Sequence, residues 1–240
     1  MKIAIFSDIH GNLQALESII TDIKKNNYDE VICLGDVIAM GPNPKECLDL
    51  IICNNYKMLL GNHELYYLKG TQIDDEMGEG EIQHQEWIKN QLNETHRNFL
   101  DKCPMKIETD INGKKVLFQH FLINYNSKDD YPFEELNIIK DGTIAEKFSN
   151  IEIDCMFIGH EHKSFEINLE NKKLVDIGSS GCTKDETTFY TVLTIENNNV
   201  NIEKKYISYN RNKFINTIQS KKYPEKEIIS KIFFGIRCEE

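Results

Sequence analysis

The hydrophobic and polar positions of this chain switch between two periods. Residues 2–7 form a short apolar run ending at Asp8, the pattern of a buried strand. Asn12 then stands where a helix cap would, ahead of Leu13, Leu16, Ile19, Ile20 and Ile23 at helical spacing. Val31 to Leu34 reads as a second buried strand, ending at Gly35-Asp36. Asn43-Pro44 predicts a cap with proline in the first turn, opening a helix with Cys47, Leu48, Ile51 and Ile52 inward. Lys57 to Leu60 predicts a third strand, ending at Gly61-Asn62. Three β-then-α units in succession predict an α/β sheet with parallel strands.

The pattern changes between 65 and 104. Residues 71–81 are acidic and contain glycine, and predict a mobile loop. A helix is expected next, with Ile88, Leu92 and Phe99 roughly on one face and Cys103-Pro104 stopping it. Strand-like segments follow at 106–111, 115–119, 154–158 and 174–177, the first two joined by an Asn112-Gly113 hairpin turn. Another hairpin is predicted from 188–195 through Asn197-Asn198-Asn199 to 200–206. A last helix is expected after Pro224, its stripe of Ile228, Ile229, Ile232 and Phe233 packing into the core. With no repeat or linker, the chain reads as one domain over 1–240, with a helical insertion at 65–103 and a C-terminal hairpin plus helix.

Composition narrows the function classes. Hydrophobic residues are 40% and charged residues 28% of 240, ordinary for a globular enzyme. A net charge of -11 repels nucleic acid and anionic membranes, so small phosphorylated substrates are favoured over polymers. Seven cysteines without C-x-x-C spacing predict reduced thiols and a cytoplasmic protein rather than a disulfide framework. No apolar stretch reaches the ~20 residues needed to span a bilayer.

The candidate chemistry lies where the predicted strands stop: Asp8-Ile9-His10, Gly35-Asp36, Gly61-Asn62-His63-Glu64 and Gly159-His160-Glu161-His162. Asp, Asn and His bind hard and borderline divalent cations, and their number suits two ions. In an extended segment alternate side chains share a side, so Asp8 and His10 are expected to reach one cation together, and His160 and His162 to lie side by side. Asp36 can bridge two ions, and Asn62 offers a neutral carbonyl oxygen. Carboxyl ends of parallel strands are where such sheets gather ligands.

These motifs, with the isolated His120 and the segment Val175 to Gly181, resemble the calcineurin-like metallophosphoesterase superfamily, in particular its small bacterial and archaeal phosphodiesterase branch, often described as diadenosine-tetraphosphatase-related. The resemblance implies a four-layer α-β-β-α sandwich and two divalent ions, with manganese favoured over iron, zinc or nickel. It implies Asp8, His10, Asp36 and His162 around one ion, and Asp36, Asn62, His120 and His160 around the other. His63 would act as the acid at the leaving oxygen or stabilise phosphoryl charge, while a hydroxide bridging the ions attacks phosphorus in line. The implied activity is hydrolysis of a phosphomonoester or small phosphodiester, nucleotides included. A nuclease of the same superfamily and a non-catalytic interaction module are the alternatives.

Several positions depart from the family pattern. Glu64 stands where relatives carry Asp, and its extra methylene is expected to alter how His63 is oriented. His120 lies between Gln119 and Phe121, without the small residue that usually follows it, and Ile177 and Ser180 depart from the family's form of their segment. His84 and His96 are expected to pack or face solvent. Tyr66, Tyr67 and Trp87 are expected in the core, within the insertion where specificity would reside.

Overall fold

Strand β1 (Lys2–Phe6) is central to the first of two five-stranded sheets. It pairs in parallel with β2 (Glu30–Cys33), which pairs in parallel with β3 (Lys57–Met58). On its other side it runs antiparallel to β9 (Thr187–Glu196), which forms a hairpin with β10 (Asn199–Ser208). The second sheet has the order β4 (Lys106–Ile111), β5 (Lys114–Gln119), β6 (Cys155–Ile158), β8 (Lys172–Asp176) and β7 (Phe165–Leu169). Its three central strands are parallel and both edges antiparallel. The computed structural model describes residues 1–74, 76–134, 151–169, 171–197 and 199–237.

Strand periodicity explains the layers. Ile3 and Ile5 face the second sheet and meet Phe118, Phe157 and Val175 in a core between the sheets. Ala4 and Phe6, one position out of phase, face the helices and pack with Leu16, Ile19 and Leu48. Those helices are α1 (Leu13–Lys25) and α2 (Pro44–Cys53). Asn12 caps α1 through its side chain, which accepts from the Ala15 N–H at 3.1 Å. Asn43 makes no such bond, so proline alone marks the start of α2. Leu117, Met156, Ile158 and Leu174 form the outer face of the second sheet. Among the described residues no helix packs on that face, and Asn198 and Cys238 lie outside them. The architecture is the expected α/β sandwich with two sheets face to face.

The insertion folds differently from its sequence pattern. A helix α3 (Asn62–Lys69) starts on the Asn-His motif itself. Its apolar residues are too few to give a period, and the available signal was Glu64 three residues beyond Gly61, whose carboxylate accepts from the Gly61 N–H at 2.9 Å. Residues 71–81 contain a 3-10 turn (Thr71–Ile73) and the first turn of α4 (Glu79–Gln91). The single helix expected around 82–100 is two, because the Asn93 side chain accepts from the N–H groups of Thr95 and His96 and starts α5 (Glu94–Leu100). Outside the insertion, two further elements went unpredicted, β7 and α6 (Arg211–Ser220). In α7 (Lys226–Phe233) the expected apolar stripe divides: Ile229 is buried and Phe233 packs with the Phe214–Phe234 cluster, whereas Ile228 and Ile232 are each 55% exposed.

Candidate metal centre

The seven predicted ligands come together from both sheets, each just beyond a strand's carboxyl end. Asp8 and His10 follow β1, Asp36 follows β2, and Asn62 follows β3. His120 follows β5, and His160 and His162 follow β6. Their side-chain atoms fall into two groups. In the first, His10 Nε2 lies 2.9 Å from His162 Nε2 and 3.5 Å from Asp8 Oδ1, and His162 Nε2 lies 3.2 Å from Asp8 Oδ1. In the second, His120 Nε2 lies 3.1 Å from Asp36 Oδ2, and His160 Nδ1 lies 3.0 Å from Asn62 Oδ1. Asp36 Oδ2 is also 3.8 Å from His10 Nε2, so it faces both groups.

One geometric expectation fails. Asp8 and His10 are not in extended backbone: their φ angles are 55° and 47°. Asp36, His160 and His162 are left-handed too, at 52°, 73° and 57°. Chain reversal, rather than strand alternation, brings the groups together, and His160 and His162 consequently sit in different groups. Strained backbone at five of seven candidate ligands is the kind of outlier that persists where surrounding contacts impose it. Here the contacts are visible. The Asp8 N–H donates to the Gly35 carbonyl, the His10 N–H to the Asp36 carbonyl, and the Gly181 N–H to the Asp8 carbonyl. A β-carbon on Gly159 would lie 2.4 Å from Asp8 Oδ2, and one on Gly61 would lie 2.2 Å from Asp36 Oδ1. Both loops must be glycine to approach the carboxylates this closely.

The donor set fits divalent cations. Asp8, His10, Asp36 and His120 are all buried, and His10 Nδ1 and His120 Nδ1 have no hydrogen-bond partner. Orphaned buried polar atoms of this density are costly unless something further binds them. Among the described residues, three sets of His, Asp or Cys ligand atoms are close enough to hold an ion: His10-His162-Cys182, His10-Asp36-His63 and Asp36-His120-His160.

The charges agree. Burial alone would raise the Asp8 and Asp36 carboxyls, but the surrounding histidines, His120 foremost, outweigh it and hold both well below the usual range. Burial would lower His120 and His162, yet Asp36 and Asp8 push His120 up to about 9, and Asp8 and Cys182 push His162 up to about 11. His10 and His160 are lowered by burial, His160 to about 4. Protons on His120 and His162 thus balance two buried carboxylates, and bound cations can replace them.

His63 lies at the edge of this cluster. Its ring packs edge-on to those of His10, at 5.4 Å, and Tyr66, at 5.6 Å. Burial lowers its pKa to about 3 against the opposing pull of Asp36. Glu64 does not orient it, contrary to expectation. The extra methylene carries the Glu64 carboxylate under the loops, where it accepts from the N–H groups of Asp36, Val37 and Gly61. His63 is held instead by Gln85 of α4, whose Nε2 donates to His63 Nδ1 at 2.7 Å and leaves the ring proton on Nε2.

Sequence reasoning missed Gln85 and Cys182, since neither belongs to a recognisable spacing. It placed the segment 175–181 among the motifs, and its work here is mechanical: the Ser180 N–H donates to the Ser7 carbonyl, and the Ser179 hydroxyl to the Asp8 carbonyl. His96 is buried away from the cluster, paired with Asp49, whereas His84, paired with Met40 and Pro224, lines the cavity beside His63. Trp87 packs on Tyr223 and Tyr67 packs on the core, but Tyr66 lines a cavity that opens beside His63.

Fold and cluster together define a phosphoric ester hydrolase of the divalent-metal-dependent kind. Residues 1–198 match the calcineurin-like phosphoesterase superfamily domain, and the chain belongs to that superfamily. It is 31% identical over 238 residues to an uncharacterised protein of Methanocaldococcus jannaschii, covering 93% of this chain and 94% of that one. A metallophosphoesterase from Sphaerobacter thermophilus superposes with a TM-score of 0.73 at 21% identity, covering 98% and 99% of the two chains. A symmetrical bis(5'-nucleosyl)-tetraphosphatase of Haemophilus ducreyi is 38% identical over 71 residues, 28% of this chain and 26% of its own length.

Proposed function

We propose that the chain is a dinuclear-metal phosphoesterase hydrolysing a phosphomonoester or small phosphodiester, nucleotide esters included. The observation that carries this reading is the position of Asp36, whose Oδ2 faces His120 at 3.1 Å and His10 at 3.8 Å from opposite groups. Asp8, His10 and His162 with Asp36 would hold one cation, and Asn62, His120 and His160 with Asp36 the other. Mixed nitrogen and oxygen donors suit manganese, which we favour, as well as iron, zinc and nickel. Bound there, the ions supply positive charge and an activated water.

The remaining work belongs to the chain. Gln85 fixes the His63 ring with its Nε2–H free for an oxygen of the phosphoryl or leaving group. A phosphate anion beside that ring raises its proton affinity against the burial that depresses it. The insertion at 65–103 supplies Tyr66, His84 and Gln85 to the cavity beside His63, which supports its role in substrate choice within a single domain. Net charge of -11 weighs against the nuclease reading, and a His63 held by its own partner weighs against a non-catalytic module. The six cysteines among the described residues are unpaired, in agreement with a reducing, cytoplasmic setting.

The test is reconstitution with manganese, anomalous diffraction, and hydrolysis of bis-p-nitrophenyl phosphate. Two ions sharing Asp36 with metal-dependent turnover are expected. One ion, or turnover equal without metal, would overturn the reading.

A further inference from the structure

The cavity beside His63 has a volume of about 500 Å³, room for a group well beyond a phosphate. It opens between α3, α4 and α7 and shares Asn62 and His63 with the cleft over the metal centre, so a group attached to a phosphorus held there can enter it. Two features of its wall define that occupant. Met40, Ile229 and Phe233 give it an apolar side. Asp74, Glu76, Glu81 and Glu225 give it four carboxylates, while it contains no lysine or arginine. None of the four is ion-paired to a basic side chain among the described residues.

A further acceptor stands deeper. Gln85 is only 7% exposed, and while its Nε2 serves His63, its Oε1 has no hydrogen-bond partner. A buried carbonyl oxygen without a donor is unusual and calls for one. Gln85 is also a wall residue of the cavity. The subsite is therefore rich in acceptors, poor in donors, negative and partly apolar.

Resting on the phosphoesterase reading above, we propose that this cavity binds the leaving group and selects an alcohol bearing an ammonium group on a short apolar body. A second phosphate or a polyphosphate chain would meet four carboxylates and no basic residue there, and like charges at such distances exclude a ligand strongly. A cationic ligand gains the same field, and its aliphatic carbons cover Ile229 and Phe233. Such a lining separates this chain from a polyphosphate-cleaving enzyme, whose anionic leaving group needs the opposite charge.

The test uses the manganese-loaded full chain and isosteric probes. Choline phosphate and choline methyl phosphate carry a trimethylammonium group. The corresponding 3,3-dimethylbutyl esters keep the shape without the charge, and 2-carboxyethyl esters reverse it. Binding is read by calorimetry and alcohol release by proton NMR, with bis-p-nitrophenyl phosphate turnover as the measure of the phosphoesterase reading itself. The choline esters should exceed their neutral isosteres about tenfold or more in affinity or kcat/KM, about 1.4 kcal/mol. The carboxyethyl esters should be weakest. Glu76→Gln combined with Glu81→Gln should reduce the choline advantage severalfold.

Equal behaviour of the isosteres, or preference for the carboxylate, would overturn the proposal even if bis-p-nitrophenyl phosphate is hydrolysed. A choline advantage that survives the double variant undiminished would overturn its assignment to these carboxylates. Choline-selective binding in a protein that hydrolyses nothing would uphold the subsite and defeat the phosphoesterase reading.

Discussion

Gln85 Nε2 lies 2.7 Å from His63 Nδ1, so a neutral amide on a separate helix sets the orientation of the candidate catalytic ring. The neighbouring acid, Glu64, is committed to backbone N–H groups elsewhere. Gln85→Ala should keep the metal content and lower kcat on alkyl phosphoesters about tenfold, with KM little changed, because general acid or donor catalysis depends on placement. Gln85→Glu, which replaces the amide donor with a carboxylate acceptor and draws the ring proton to Nδ1, should not recover the rate. Stopped-turnover kinetics of both variants, with metal analysis, check this; a loss in KM alone would show that Gln85 serves binding only.

Glu64 should matter to the loops rather than to chemistry. It is fully buried and its two oxygens accept three N–H groups. Glu64→Ala leaves three buried donors unmet at about 1–3 kcal/mol each, so thermal unfolding should fall by roughly 6 °C or more and metal affinity with it. Glu64→Gln retains acceptor capacity on one oxygen and should fall between the two. A Glu64→Ala protein as stable as the parent would contradict the clamp.

The site was legible in sequence because strand ends place ligands by topology. Asp8, Asp36, Asn62, His160 and His162 needed only the end of each apolar run to be found, whereas His120 came only from the family resemblance. What was not legible depended on contacts across the fold. Nothing in the spacing of α4 marks Gln85, which is 22 residues from His63. Left-handed backbone at Asp8 and His10 was hidden as well, since loops from β2 and the 178–181 segment impose it. In the fold, β1, β2, α1 and α2 announced themselves by periodicity, whereas α3 has too few apolar positions to do so. The split of α4 from α5 rests on one asparagine cap.

Asp36→Asn should abolish turnover and lower the metal content. The bridge would lose its charge, and the amide nitrogen cannot ligate both groups. The Asp36 Oδ1 atom also accepts from the His63 N–H at 3.0 Å, so the start of α3 should shift slightly. Plasma emission analysis of the purified variant checks the prediction, and parental metal content would count against a shared carboxylate.

Asp176 gives a pH-dependent stability effect. It is fully buried, its Oδ1 accepts from the Gly178 N–H at 2.8 Å, and its Oδ2 has no partner. Burial, reinforced by Asp8, pushes its carboxyl up to about 8. Unfolded, it ionises near 3.9. The folded state therefore holds the extra proton, and the stability this group contributes declines as pH rises from about 4 to about 8. Asp176→Asn removes that dependence. The Tm of the variant relative to the parent should rise between pH 5 and pH 8, and a constant difference would refute the assignment.

The last expectation concerns His63, which follows a candidate ligand and, though close enough to His10 and Asp36 to approach an ion with them, is held by Gln85. Its Nε2–H is free because Nδ1 is engaged by Gln85. A donor there matters most when the departing oxygen is a strong base, and general acid catalysis contributes typically about 10²–10⁴-fold. A p-nitrophenyl ester departs with little need of a proton, whereas an alkyl ester does not. His63→Ala should therefore retain both metals and slow an alkyl phosphoester by about 100-fold or more, while slowing p-nitrophenyl esters far less. Equal losses on the two substrates would assign His63 to holding the phosphoryl group, since that interaction is indifferent to the leaving group. Unchanged rates on both would remove it from the reaction and reopen the non-catalytic reading of the fold.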